Sequence, residues 1–201
     1  MSNNLLKIQL DYLKELYDQL PEDLAERLPA RRKNNTFHFK AFGQNCTISA
    51  DGITLDEGKL TGPTGILIAL YARYARREAV QLEPIKSFKE IKGTMPYHGG
   101  FTARTERSLN PFVENIQRLK EKIISDFDGH ENEGTEGDFS FTLYPLPKVP
   151  LFYIFYLADE EFPASVTCLL ASNAELFMPL DGLADVGEYT AKRVIEIVSS
   201  T

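Results

Sequence analysis

Cysteine and histidine are scarce in this chain: two of the first and three of the second among 201 residues. Cys46 and Cys168 cannot make a disulfide framework, and the reading is a cytoplasmic protein with reduced thiols. Two thiols also fall short of the four that usually hold an iron–sulfur cluster. His38, His98 and His130 stand far apart, and none has ligand spacing from a cysteine or carboxylate. With no CxxC and no HExxH, neither a metal site nor a recognisable cofactor motif is expected. Positive charge is in deficit, with 22 Lys and Arg against 29 Asp and Glu and a formal charge of -7. Nucleic-acid binding depends on neutralising phosphates, so no nucleic-acid partner is expected.

Long apolar runs are missing as well. The start, MSNNLLKIQLDYLKELYDQL, lacks the basic n-region and small-residue cleavage site of a secretory signal. No run approaches the roughly 20 residues of a spanning helix, so no membrane association is expected. Phosphate loops are absent: Gly62-Pro63-Thr64-Gly65 has neither the Lys-Ser/Thr of a P-loop nor a three-glycine dinucleotide fingerprint. It reads as a helix cap, with Pro63 where a missing N–H costs nothing. No serine has a nucleophile-elbow context. Both cysteines read as buried, inert thiols, Cys168 within the apolar SVTCLLA.

What is present is an ordinary soluble composition, 43% apolar and 25% charged, enough for one sizeable core. Leu6, Leu10, Leu13, Tyr17 and Leu20 predict an amphipathic helix over about 3–20. A short helical piece follows at 22–28, and ARRKNN (30–35) reads as a solvated connection. Alternation predicts a strand from Thr36, a turn at Gly43-Gln44-Asn45 and a strand over 46–49. Asp51-Gly52 is a hairpin turn, with a return strand over 53–55. A helix is expected from Pro63 to about 79, then a short element within IKSFKEIK, a loop over 94–100 and a long helix over 103–127. Asn110 is its candidate cap, and Pro111 starts or kinks it. Residues 128–138 are acidic and Gly-rich and read as a flexible loop. Strands are predicted over 139–143, 151–158 and 164–171, then a helix entered near Asp181. Strands close in sequence favour antiparallel pairing. The fold class expected is α+β, an N-terminal hairpin plus a C-terminal three-strand meander packed with about five helices. One domain over 1–201 is expected, with 1–35 as a helical arm.

Two stretches invite function. YPLPKVPLFYIFYLADEEFP (144–163) joins an apolar run to three carboxylates and is fenced by prolines. Its run is apolar at odd and even positions, as in an interior strand covered on both faces. The prolines are expected to stop pairing at its ends. Asp159–Phe162 is then a turn, because adjacent strand residues point to opposite sides and a turn wants polar groups. MPYHGGFTARTER (95–107) supplies the candidate ligand-binding residues Tyr97, His98, Arg104 and Arg107. Paired glycines permit close backbone approach, His98 titrates near neutral pH, and the arginines suit a carboxylate or phosphate. The bland alternative is a surface turn leading into a basic first helical turn.

The stretch LPKVPLFYIFYLADEEFPASVTCLLASNAELFMPLDGLADVGEYTAKRVI resembles the family catalogued as domain of unknown function 3786. That family carries an LPxVP turn, an apolar strand, a D-E-E-F-P turn, another strand and a closing helix. SFKEIKG and ILIALYARYA resemble two further segments of it, and Arg107 and Pro111 match an Arg and a Pro. The resemblance covers about 40–198 and is sharpest over 146–163. At Ala171-Ser172 this chain departs from the Asp that many members carry. The resemblance implies an accessory role in anaerobic metabolism linked to corrinoid or iron–sulfur cofactors.

Three roles follow, in order of preference. The first is a non-catalytic accessory or binding module for an unidentified small molecule or protein partner. The second is an enzyme of unrecognised class using the 95–107 loop, with His98 as acid–base and Arg104 or Arg107 holding an anion. The third is a structural homo-oligomer pairing an exposed sheet edge. No catalytic residue is assigned.

Overall fold

The computed structural model describes residues 2–134 and 136–200, with side chains from residue 4. The fold is α+β, with two five-stranded antiparallel sheets packed with helices. The first sheet has the order β1 (Arg31–Lys33), β2 (Thr36–Ala41), β3 (Gln44–Ser49), β4 (Gly52–Leu55) and β5 (Gly58–Lys59). Phe37, Ile48 and Ile53 pair across it on one face, with Ala41, Cys46 and Leu55 beside them, all buried. Helices α1 (Ser2–Asp18) and α3 (Pro63–Tyr74) pack against each other and against β4. Between α1 and β1 lies the single turn α2 (Leu24–Arg27).

The second sheet has the order β6 (Lys86–Ser87), β10 (Ser165–Leu170), β9 (Val149–Tyr156), β8 (Phe139–Leu146) and β7 (His130–Glu131). Strand β9 is its centre. Leu151, Tyr153 and Phe155 face Leu143, Phe141 and Phe139 on one side and Leu170, Cys168 and Val166 on the other. Phe155 stacks on Phe139 at 4.5 Å between ring centroids and touches Phe141 at 4.8 Å. The buried residues of both sheets join one apolar cluster.

The helical half departs from the expected elements. Residues 95–101 form a helix, α4 (Met95–Phe101), rather than a loop, because Pro96 opens a first turn where its absent N–H is not needed. The expected single helix over 103–127 is four pieces. A π-helical turn (Thr102–Glu106) leads into a 3-10 stretch (Arg107–Phe112), then α5 (Val113–Arg118) and α6 (Lys120–Asp126). Pro111 lies inside the 3-10 stretch, where it cannot donate an α-helical bond. Asn110 does not cap; its Oδ1 is buried without a hydrogen-bond partner. Helix α3 ends at Tyr74, short of 79. The last helix, α7 (Leu180–Ser199), enters one residue before Asp181.

Other differences lie at the sheet margins. ARRKNN is an exposed edge strand and turn, β1 pairing Arg31 with His38, not a loose connection. The β2–β3 turn is Phe42-Gly43, both with positive φ (50° and 75°), the mirror-image geometry that suits hairpin twist. Phe42 is buried there, and its N–H donates to Pro145 O at 2.7 Å, tying the two sheets. Pro145 and Pro150 do not lie outside the strands but inside β8 and β9, at a register irregularity between Leu143 and Leu146. The 128–138 loop, whose residue 135 lies outside the described residues, is tied down. It contains β7, and Asp138 Oδ2 accepts from Leu157 N at 2.7 Å. The Asp159 carboxylate accepts from the N–H groups of Glu161 and Phe162 at 2.8 and 2.7 Å, so the acidic triplet opens with an Asx turn.

Candidate functional site

Helix α7 carries Asp181, Asp185 and Glu188 at i, i+4 and i+7. That spacing puts three carboxylates in one row. Helix α4 and the π-helical turn run beside it, presenting Tyr97, Gly100, Phe101 and Arg104. Between them lies a cleft of about 410 Å³ lined by these residues together with Pro96 and Ala184. Close packing below sets its depth. A Cβ on Gly187 would stand 2.5 Å from Thr105 Oγ1, so glycine there lets α7 approach the π-helical turn. Gly100 keeps the cleft open. A Cβ there would meet nothing within 4 Å, so packing does not demand glycine, and a long side chain at this lining position would narrow the cleft.

The charges do not balance. Glu188 is occupied on both oxygens, by Arg104 Nη1 at 2.9 Å and Lys192 Nζ at 2.6 Å. Burial alone would raise the Glu188 carboxyl, but the hydrogen bonds from Lys192 and Arg104 outweigh it and hold the group below its usual range. Asp185 goes the other way. Partial burial, then the like charges of Glu188 and Asp181, push its carboxyl above the usual range. Asp181 accepts the Gly182 N–H at 2.8 Å at the start of α7, where the helix dipole favours a negative charge. Among the described residues neither Asp181 nor Asp185 has an ion-pair partner. No group of three or more His, Cys, Asp or Glu among them is arranged to hold a metal ion.

Of the four residues singled out from sequence, the cleft joins two, Tyr97 and Arg104. Tyr97 is 41% exposed, and its neighbour Met95 69%. His98 is half-buried, its Nδ1 is without a hydrogen-bond partner, and it does not line the cleft. Arg107 is exposed and also lies outside the lining. Arg104 does not stand free for an anion, because Glu188 engages it. Asp181, Asp185 and Glu188 escaped sequence reasoning because they lie some eighty positions along the chain. The signal available was their i, i+4, i+7 spacing within the last helix.

Glu106, at the end of the π-helical turn, has a different task. Its Oε1 accepts from Cys168 N at 3.0 Å, supplying the partner that the edge of β10 lacks beyond β6. Burial, then the charge of Glu106, pushes the Cys168 thiol well up, and burial raises Cys46 to about 12. Both thiols are inert by burial.

The architecture defines an α+β protein of two antiparallel sheets, its helical edge carrying an acidic cleft. The family described as "Domain of unknown function (DUF3786)" matches residues 20–193, and the chain belongs to it. Neither a curated protein nor a solved structure matches the chain. Among the described residues no helix is long and apolar enough to cross a membrane.

Proposed function

We propose that this protein is a non-catalytic accessory module that binds a cationic group in the α4–α7 cleft. The observation that carries the reading is the unbalanced pair Asp181 and Asp185 facing an exposed tyrosine across a cleft that Gly100 leaves open. Carboxylates without a counter-charge favour a bound cation, and a raised carboxyl marks where one is missing. Tyr97 offers a ring face to the same ligand. The partner is a small-molecule amine or a basic side chain of another protein. The setting is cytoplasmic, as the scarcity of cysteine suggests, and the resemblance to the family implies anaerobic metabolism linked to corrinoid or iron–sulfur cofactors. With two buried cysteines this chain does not provide the four thiolates that usually hold an iron–sulfur cluster.

The test is titration of the protein with cadaverine and with N-acetyl-lysine methylamide, followed by amide shifts in NMR. Saturable shifts confined to α4 and α7, abolished by Gly100→Leu and weakened by Asp185→Asn, are expected. An absence of saturable shifts, or shifts that survive Gly100→Leu, contradicts the reading. Saturable binding of phosphate at Arg104 instead would favour the anion-holding role expected from sequence.

A further inference from the structure

The second sheet has a face turned away from the aromatic core, apolar along its central strand and flanked by small polar residues. Phe152 and Ile154 of β9 point there, paired with Thr142 and Ser140 on one side and Leu169 and Thr167 on the other. This explains why β9 is apolar at every position: one face is core, and the other floors a groove. Leu82 and Ile85 wall the groove on one side and residues 130–133 on the other, enclosing about 340 Å³. Leu82 is 38% exposed within it.

Both walls are held by side chains that bond backbone. On one side the irregular strap 75–85 is pinned at three points. Lys148 Nζ donates to Arg76 O at 2.5 Å and to Glu78 O at 3.0 Å. Asn173 accepts from Gln81 N at 2.8 Å and donates to Ala79 O at 3.0 Å. Ser172 Oγ donates to Gln81 O at 3.1 Å. On the other side Thr142 Oγ1 donates to Asn132 Oδ1 at 2.8 Å, and Asn132 N donates to Ser140 O at 3.2 Å. A groove clamped on both flanks does not need to be ordered on binding.

The rim is acidic. Glu131 is paired with Lys120, while Glu83 and Glu133 have no ion-pair partner among the described residues. We infer that this groove binds a partner polypeptide through a short segment in which an aliphatic or aromatic side chain is flanked by lysine or arginine. The apolar residue sits on Phe152 and Ile154, and the cations reach Glu83 and Glu133. Charge decides against a second copy of this chain, whose net charge is -7. The open, two-walled shape suits a length of chain laid across the sheet rather than an enclosed small molecule.

The probe is a fluorescein-labelled nonapeptide of alternating lysine and leucine, measured by fluorescence anisotropy at physiological salt. Saturable binding is expected, reduced ~10-fold or more by the double variant Glu83→Lys, Glu133→Lys and similarly by Leu82→Glu. All three positions are exposed, and unchanged melting of each variant checks that the fold is kept. Binding should also fall when the leucines are serine or the lysines glutamate. All of these measurements are made in the Gly100→Leu background, so that the α4–α7 cleft does not take the lysines. Binding absent in that background, or unchanged in the groove variants, overturns the inference. So does concentration-dependent dimerisation that the groove variants abolish, which would make a second copy the occupant.

Discussion

The strands β8, β9 and β10 and the helical segment 95–112 pack on each other but follow opposite rules. In the strands most side chains are buried and the ladders run regularly, apart from the bulge near Pro145. Among the described residues one buried polar atom of these strands lacks a partner, the Tyr153 hydroxyl beside Cys168. The 95–112 segment changes from α to π to 3-10 within eighteen residues. It leaves His98 Nδ1, Thr105 Oγ1 and Asn110 Oδ1 buried without partners and holds Met95 and Tyr97 out to solvent. Irregular helices and unsatisfied polar atoms are tolerated where something other than stability is served. The sheet therefore carries the stability, and the segment carries the cleft.

The largest effect should come from the sheet. Phe155→Ala removes the ring stacked on Phe139 and tilted against Phe141 and should cost about 3–5 kcal/mol in urea unfolding. A loss below about 1 kcal/mol would break the contrast. Next is Lys148→Met. Lys148 is 7% exposed and sits in the turn between β8 and β9. The carbonyls of Arg76 and Glu78 lose their charged donor, for a cost of about 2 kcal/mol. Hydrogen exchange over 76–83 should quicken in that variant.

Glu106→Ala probes the junction of the two regions. It leaves Cys168 N unpaired on the edge of β10 and should cost about 1–2 kcal/mol, read by thermal melting. Gly100→Leu should move stability the other way, by up to about 1 kcal/mol, since leucine is the better helix former and its Cβ meets nothing within 4 Å. The same change should abolish cation binding, so stability and function separate at one residue. The smallest effect is Asp185→Asn. A carboxyl whose folded pKa is raised holds its proton more tightly in the folded state. Its penalty is absent below the unfolded pKa and complete above the folded one. Removing the charge should therefore stabilise at pH 7 by less than about 0.5 kcal/mol after solvent screening, with the gain vanishing as pH falls through that window.

The sheet was readable in the sequence because its pattern is local. Alternation from Thr36 and over 139–143 and the unbroken apolar run over 151–158 mark strands, and LPKVP marks the turn at the centre of the second sheet. Four elements were not readable: β1, β5, β6 and β7. Two or three residues carry no period, and a partner strand defines them, as His38 defines Arg31. Gly99-Gly100 pointed to a loop, but nothing in the surroundings forbids helix there. The apolar series Leu109, Val113, Ile116, Ile123 and Phe127 held its buried face through the changes of helix type. That is why the break was invisible. Half of the cleft was legible as Tyr97 and Arg104. The other half comes from α7, brought against it by the packing of Gly187 on Thr105 and Phe101 and by the Arg104–Glu188 ion pair.

The most direct test is the titration of the Asp185 side-chain carboxyl, followed by carbon NMR in the free protein and in the protein saturated with cadaverine. The account predicts a free carboxyl above the usual aspartate range that drops when the amine occupies the cleft. An Asp185 that titrates in the ordinary range and does not respond to the amine would contradict it.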